Sequence, residues 1–319
     1  MTKQKVFSEK QLPQNIQSYL EEHVDLKVWD KSTQMPRELL LKEIKDVQGL
    51  ITTGSAINEE LLQQAPELKA VSTISVGYNH FDTEAMRKYK VIGTHTPYVL
   101  DDTVADLVMA LMLSAARRIP ELDAMTKRGE WKKGDDNPRF GVDVHHKKLG
   151  IIGMGRIGET IAKRGKNGFD MEVSYFNRSR KPEVEEKLHI EYKSKDDLLS
   201  ESDFIVLMVP LSPETKHFIG EKEFKQMKNS AIFINASRGQ TVDEQAMIEA
   251  LQKGEILAAG LDVFEQEPVE PTNPLLTMKN VVTLPHIGSA TAETRNAMAM
   301  LAAKNLVAAL TGKGTYYSV

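Results

Sequence analysis

Six residues near the middle of the chain, Gly153-Met154-Gly155-Arg156-Ile157-Gly158, have the spacing G-x-G-x-x-G. That spacing cradles the pyrophosphate of a dinucleotide when it leaves a strand and opens a helix. Both flanks are present: the apolar run 148–152 precedes it and an amphipathic stretch over 156–166 follows. Gly153 then serves the tight turn, Gly155 lets the backbone approach phosphate, and Gly158 lets helix and strand pack closely. Arg156 and Ile157 open the helix, whose free N–H groups and positive dipole end favour phosphate. A glycine-rich turn without a ligand is the plain alternative, and the strand–turn–helix setting argues against it. The next apolar run, 171–176, ends at Asn177-Arg178-Ser179-Arg180. A strict NAD site would carry Asp or Glu there, bonded to the ribose 2′-hydroxyl. An uncharged Asn removes repulsion toward a 2′-phosphate, and Arg178, Arg180 and Ser179 supply donors for one. This favours NADP, with NAD as the poorer cofactor; a solvated basic turn is the bland reading.

Three further polar groups follow apolar runs. Arg238 lies in Asn235-Ala236-Ser237-Arg238-Gly239 after 231–234, and Glu267 ends a loop that begins at Asp262 after 257–261. His286 lies in Pro285-His286-Ile287-Gly288-Ser289 after 281–283. Taken singly, a loop arginine is a solvated or paired charge. Glu267 is one acid among Glu265 and Glu270, and a lone histidine is structural. Their coincidence at the carboxyl ends of three strands, where ligands of open α/β sheets bind, gives them weight.

The elements that must hold these groups alternate along the chain. Runs 26–29, 49–52, 68–74 and 91–94 read as strands, with helices over 35–45, 58–64 (capped by Asn58) and 82–89 between them. Pro36 suits a first helical turn. A long helix over 104–117 follows, with Asp101 and Asp102 read as its caps rather than as catalysts. Its small face, Ala105, Val108, Met109, Leu111, Met112 and Ala115, suits packing between domains. Pro120 breaks or kinks it. The polar stretch to Lys148 is too long for a plain connection, and reads as an arm or partner contact, with Trp131 as a packing anchor or an interface aromatic. Further strands at 204–209, 231–234, 257–261 and 281–283, a helix over 243–252 and a last helix over 291–310 complete an α/β chain. The last helix is expected to return to the first domain.

Length agrees with two domains among the 319 residues. The balance of 41 basic against 45 acidic residues argues against nucleic acid as the main partner. No apolar run reaches the length of a membrane span. The polar segment 1–10 lacks the apolar core of a signal peptide, and the cytoplasm is the default compartment. The chain has no cysteine, which excludes disulfides, thiolate metal sites and a cysteine nucleophile.

The glycine fingerprint, Val209-Pro210-Leu211 with Thr215, the 235–239 loop, Gly260-Leu261-Asp262-Val263, Glu267-Pro268 and the 285–289 loop together resemble the D-isomer-specific 2-hydroxyacid dehydrogenases over nearly the whole chain. Within that family the chain looks most like the glyoxylate/hydroxypyruvate reductases and their 2-ketogluconate-reducing relatives. The resemblance implies two doubly wound parallel-sheet domains with the active site in a cleft between them. Residues 103–290 would bind the dinucleotide; residues 1–102 with 291–319 would bind substrate. Arg238 would hold the carboxylate and carbonyl oxygen of a 2-oxo acid, aided by the N–H groups of Val76 and Gly77. His286 would donate the proton, and Glu267 would fix its tautomer. Asp262 would accept from the nicotinamide carboxamide. Thr103, Pro210, Thr215, Ala236, Ser237 and Gly288 would complete the cofactor contacts. No metal is required, since Arg238 and His286 supply the positive charge. The implied partners are a small 2-oxo or 2-hydroxy acid and a second copy of the chain, paired through 119–148. Tyr98, where a small residue is common, and the stretch around 135–138 depart from the family pattern. A nucleotide-sensing corepressor-like protein and a methyltransferase are the rival readings: the first would bind NADPH without turnover, the second would bind adenosylmethionine.

Overall fold

The computed structural model describes residues 3–31, 33, 35–134 and 140–319; the unusual stretch 135–138 lies outside them. The chain divides into two compact units, Met1–Leu100 with Ala290–Val319, and Asp101–Ser289.

In the first unit β1 (Lys5–Ser8), β2 (Asp25–Val28), β3 (Gly49–Thr52), β4 (Ala70–Thr73) and β5 (Ile92–Thr94) pair in parallel, in the order β2-β1-β3-β4-β5. This is the flavodoxin-like order. Side chains alternate between two apolar layers, as a strand requires. Phe7, Leu50 and Val71 pack with α2 (Arg37–Glu43), α3 (Glu59–Gln64) and α4 (Thr83–Lys88). Val6, Ile51 and Ala70 pack with α1 (Gln14–His23) and the C-terminal helix α12 (Ala292–Thr311). Asn58 accepts from the Leu61 amide and Asp82 from the Ala85 amide, so α3 and α4 start where capping residues stand. Ala299, Ala302 and Ala303 let α12 lie close to the sheet, and Ser72 Oγ donates to the Ala302 carbonyl at 2.9 Å. The first strand and α1 are absent from the sequence reading. Residues 1–10 look polar, yet Val6, Phe7 and Ser8 are buried in β1.

In the second unit β6 (Lys148–Ile152), β7 (Glu172–Phe176), β8 (Glu191–Tyr192), β9 (Phe204–Leu207), β10 (Ile232–Asn235), β11 (Ala258–Leu261) and β12 (Val281–Thr283) form a parallel sheet in the order β12-β11-β10-β9-β6-β7-β8. The order reverses between β6 and β9, which is where open α/β sheets bind ligands at their carboxyl ends. One face carries α5 (Asp101–Arg117), α7 (Arg156–Phe169) and α8 (Pro182–Leu188) over Leu149, Ile151, Val206 and Ile234. The other carries α9 (Lys195–Glu201), α10 (Glu221–Gln226) and α11 (Glu244–Lys253) over Ile152, Ile205, Phe233 and Leu261. Two doubly wound parallel sheets are thus present, as expected. Among the described residues no helix is long and apolar enough to cross a membrane.

Three expectations for the middle of the chain change. The small face of α5 packs inside the second unit, in the apolar layer it shares with α7. Asp101 and Asp102 lie in the first turn of α5 rather than ahead of it. There they pair with Arg156 (3.1 Å) and Arg164 (3.0 Å) of α7, so these acids join two helices. Beyond Arg118, whose φ is 55°, Pro120 sits near the start of a new helix, α6 (Ile119–Lys127). The arm therefore has regular structure. No residue of α6 is buried, and Trp131 is 67% exposed, which removes its packing-anchor reading.

Candidate active site

The turn after β6 carries the glycine fingerprint. Gly153 has φ 104°, and a Cβ there would stand 2.5 Å from the Met208 carbonyl oxygen. A Cβ on Gly158 would stand 2.3 Å from the Gly153 oxygen, so that glycine packs against the turn itself. At Gly155, the residue before α7, a Cβ would meet nothing within 4 Å. The space over this helix start is open, and the amides of Arg156 and Ile157 belong to the first turn, which has no helical acceptor. The Arg156 side chain is spent on Asp101. Thr103 lies in the first turn of α5.

At the end of β7, Asn177 donates to the Ser179 carbonyl at 3.0 Å. Arg178 is exposed and makes no hydrogen bond or ion pair among the described residues; Glu214 feels its charge. Arg180 differs from the expectation of a phosphate donor. Its Nε and a terminal nitrogen bind Glu185 at 2.8 and 2.7 Å, and its guanidinium lies over the Tyr192 ring. Glu185 starts the competition five residues away, on α8, and a fork-to-fork pair occupies the donors that a phosphate would need.

Four loops leave the carboxyl ends of β9 to β12. After β9, Thr215 Oγ1 donates to the Pro210 carbonyl at 2.6 Å and accepts from the Ser212 amide, so its hydroxyl closes a turn. After β10, Asn235 Oδ1 accepts from the amide and hydroxyl of Ser237 at 3.0 and 2.8 Å, and its Nδ2 donates to the Arg238 carbonyl. Ala236 and Ser237 are buried. Arg238 donates to the Ser237 carbonyl at 2.6 Å and has no bonded carboxylate among the described residues. Burial pushes its pKa below the ordinary arginine value, against the pull of the nearby Glu267 charge. After β11, Asp262 is 1% exposed, and its two oxygens accept from the Ile287 and Gly288 amides at 2.7 and 2.8 Å. The carboxylate expected to meet nicotinamide thus has a task inside the protein, tying down the loop that bears His286. Burial raises the pKa of Asp262. Glu267 accepts from the Phe264 amide at 3.1 Å and meets His286 Nδ1 at 2.7 Å. Burial pushes the Glu267 pKa up. The His286 hydrogen bond and charge, the Phe264 amide and Arg238 outweigh that, so it lies below the usual glutamate value. His286 has φ 53°, a left-handed backbone that costs a non-glycine residue energy, and its side chain is 46% exposed.

The structure thus joins Glu267 to His286 directly and to Arg238 through charge. Two residues of this frame escaped notice in the sequence. Asn235 is the hydrogen-bonding hub of the Arg238 loop, and its signal was an Asx turn at a strand end. Gly239 lets that loop meet the next one: a Cβ there would stand 1.8 Å from the Phe264 oxygen.

Val76 and Gly77 lie in the first unit, in the half-buried loop after β4. Among the described residues neither amide finds an acceptor. Tyr98, in the loop after β5, has φ 73°, a conformation suited to glycine, and its ring meets that of Tyr317 at 5.5 Å.

The family pattern described as D-isomer specific 2-hydroxyacid dehydrogenase, NAD binding domain, matches residues 109–288. The chain belongs to the D-isomer specific 2-hydroxyacid dehydrogenases. Among other members of that family, the glyoxylate/hydroxypyruvate reductase B of Enterobacter sp. (strain 638) is 50% identical over 303 residues, 95% of this chain and 94% of that one. A crystallised protein of Thermus thermophilus matches this dehydrogenase with TM-score 0.92 at 39% identity, over 99% of both chains. The NADPH-dependent glyoxylate/hydroxypyruvate reductase of Sinorhizobium meliloti, solved in complex with NADP and malonate, matches with TM-score 0.87 at 28% identity, over 100% of this chain and 97% of that one.

Proposed function

We propose that this dehydrogenase reduces small 2-oxo acids, glyoxylate and hydroxypyruvate, to 2-hydroxy acids with NADPH, giving the D product where a stereocentre forms. One observation carries the reading. A half-buried arginine without a bonded carboxylate among the described residues lies in the field of a carboxylate that is hydrogen-bonded to a histidine. A desolvated cation left without an ion partner is costly, and a substrate carboxylate would relieve that cost. The relatives named above support the substrate class.

The residues fit a dinucleotide phosphate. Open space lies over Gly155, and the turn is one that only Gly153 can make. Asn177 brings no negative charge to the ribose, and Arg178 is free to pair with a 2′-phosphate. Thr103, Pro210, Thr215, Ala236, Ser237 and Gly288 contribute cofactor contacts, and Asp262 keeps lone pairs for the carboxamide. When bound, NADPH supplies the hydride for the carbonyl carbon. Arg238 holds the substrate carboxylate and polarises the carbonyl oxygen with its planar fork. The amides of Val76 and Gly77 bind the same carboxylate. His286 donates its Nε2 proton to the oxygen that becomes the hydroxyl. Glu267, ionised in the working range, accepts from Nδ1, so it fixes the ring and stabilises the imidazolium. Residues 1–102 with 291–319 serve the substrate and 103–290 the dinucleotide, in a cytoplasmic enzyme.

We also propose a homodimer paired through 119–148. Support comes from the unburied α6 and from Ile119, Trp131 and Phe140, which are 50, 67 and 70% exposed. Three large apolar side chains left exposed along one stretch suit burial against a second copy. Light scattering showing a monomer at micromolar concentration would contradict it.

Steady-state kinetics on glyoxylate, hydroxypyruvate, 2-ketogluconate and bulky apolar 2-oxo acids, each with NADPH and NADH, test the function. The first two should give the highest kcat/KM. Turnover of only the bulky apolar acids, or NADPH binding without turnover, would sink the assignment.

A further inference from the structure

We infer that His95 is a positioning residue: it sets the plane of the peptide between Val76 and Gly77, and so directs the Gly77 N–H that receives the substrate carboxylate. The inference rests on the proposed role of the Val76 and Gly77 amides.

His95 follows β5, and its ring Nδ1 lies 2.9 Å from the Val76 carbonyl oxygen. A carbonyl oxygen only accepts, so Nδ1 carries the hydrogen. The Val76 carbonyl and the Gly77 N–H belong to one trans peptide unit and point in opposite directions. Holding the oxygen therefore fixes the direction of the N–H. A hydrogen bond at the oxygen also polarises the unit and strengthens its donor end. Glycine at 77 gives the backbone wide freedom, which a binding loop must offset. A second clamp acts on the next peptide: Ser75 Oγ donates to the Gly77 carbonyl at 2.7 Å. Ser75 is itself joined to Thr73 Oγ1, and that hydroxyl to His80 Nε2, at 2.8 and 3.1 Å.

His95 is held in turn from three sides. Its amide donates to the Tyr317 carbonyl at 3.1 Å. Its own carbonyl accepts from Nδ2 of Asn305, a buried residue of α12, at 2.8 Å. The Tyr78 ring meets the imidazole edge-on at 5.4 Å. The last residues of the chain bridge β5, with Ser318 opposite Thr94 and the Val319 amide on the Gly93 carbonyl at 3.0 Å. The chain terminus and α12 thus brace the histidine that braces the loop. A histidine that merely fills space would make none of this depend on Nδ1–H.

The test uses the full-length enzyme and compares His95→Ala with His95→Asn. The Asn Nδ2 stands the same number of bonds from Cα as His Nδ1, so it can still donate to Val76. At saturating NADPH, His95→Ala should raise the KM for glyoxylate by about tenfold, the size of one lost hydrogen bond. It should leave kcat within about threefold, because the bond is made in ground state and transition state alike. The dissociation constant of NADPH should not move. His95→Asn should recover most of the loss in KM. In the wild type, long-range proton–nitrogen NMR should find the His95 ring hydrogen on Nδ1. A bare Nδ1, an unchanged KM in His95→Ala, or an Asn variant no better than Ala would each overturn the inference. Should the Ala variant fail to fold, the Asn variant and the NMR tautomer still decide it. A wild-type enzyme that turns over no 2-oxo acid would remove the functional reading and this inference with it. Turnover with a KM indifferent to His95 would remove this inference alone.

Discussion

Replacing Gly239 with alanine should cripple the enzyme although the added methyl touches no substrate. Gly239 opens the short turn Gly239–Thr241, one residue beyond Arg238. A Cβ there would stand 1.8 Å from the Phe264 oxygen, 1.9 Å from its carbonyl carbon and 2.4 Å from the Glu265 nitrogen. Real Cβ contacts do not fall below 3.0 Å, so the two loops must part by about 1.2 Å. All three neighbours are backbone, and no rotamer change can yield. The displacement falls on the machinery itself. Arg238 rides on one loop, and on the other the Phe264 amide holds Glu267, which holds His286. A misplacement near 1 Å costs about 10²-fold in rate, and overpacking of this kind costs about 1–3 kcal/mol in stability. We therefore expect kcat/KM for glyoxylate to fall about 100-fold and Tm to drop by several degrees. NADPH affinity should fall far less, because the phosphate turn after β6 is untouched. Steady-state kinetics, fluorescence titration with NADPH and thermal unfolding measure the three quantities. A variant with lowered Tm and kcat/KM within threefold of wild type would refute the reasoning, since the overlap would then be relieved without disturbing the three side chains.

His286→Ala should lower kcat by about 10²–10⁴, the worth of a positioned acid, with NADPH binding unchanged by fluorescence titration; near-wild-type kcat would remove His286 from the reaction. Glu267→Gln should lower Tm at neutral pH. The folded pKa of Glu267 lies below its ordinary value of 4.5, so its stabilisation is full above that value and is lost as pH falls through the folded one. The Tm gap between wild type and variant should accordingly hold steady well above pH 4.5 and close below it; a gap that widens in acid would contradict the assigned direction. Arg178→Ala should reduce kcat/KM with NADPH by roughly tenfold and hardly affect NADH, whereas Arg180→Ala should matter less, because Glu185 already occupies its donors. Kinetics in which Arg180 proves the more important of the two would reverse that assignment.

The sequence by itself determined the parts whose cause is local. A turn that demands φ 104° at one position and excludes a Cβ five residues later can be written only with glycines at that spacing, and Gly153 and Gly158 are those residues. Alternating apolar runs and helical stretches spelled out an α/β chain, and the resemblance of the motifs to the family implied its two parallel-sheet domains. Caps such as Asn58 and Asp82 bind amides three residues on, within reach of any reader of the chain. The first strand escaped because three buried residues among lysines make too short a signal against a polar background. Tertiary structure alone decided the rest. Arg178 and Arg180 read alike, and only the placement of α8 gives one of them to Glu185. Asp262 reads as a ligand contact, and only the pairing of β11 with β12 brings it to the Ile287 and Gly288 amides. Gly239 meets Phe264, Glu267 meets His286, and His95 meets Val76 and Tyr317, because neighbouring strands in a sheet carry their loops to the same edge. Those partners stand from 19 to more than 200 positions apart. Strand order and close packing choose them, and neither is written in any short stretch of residues.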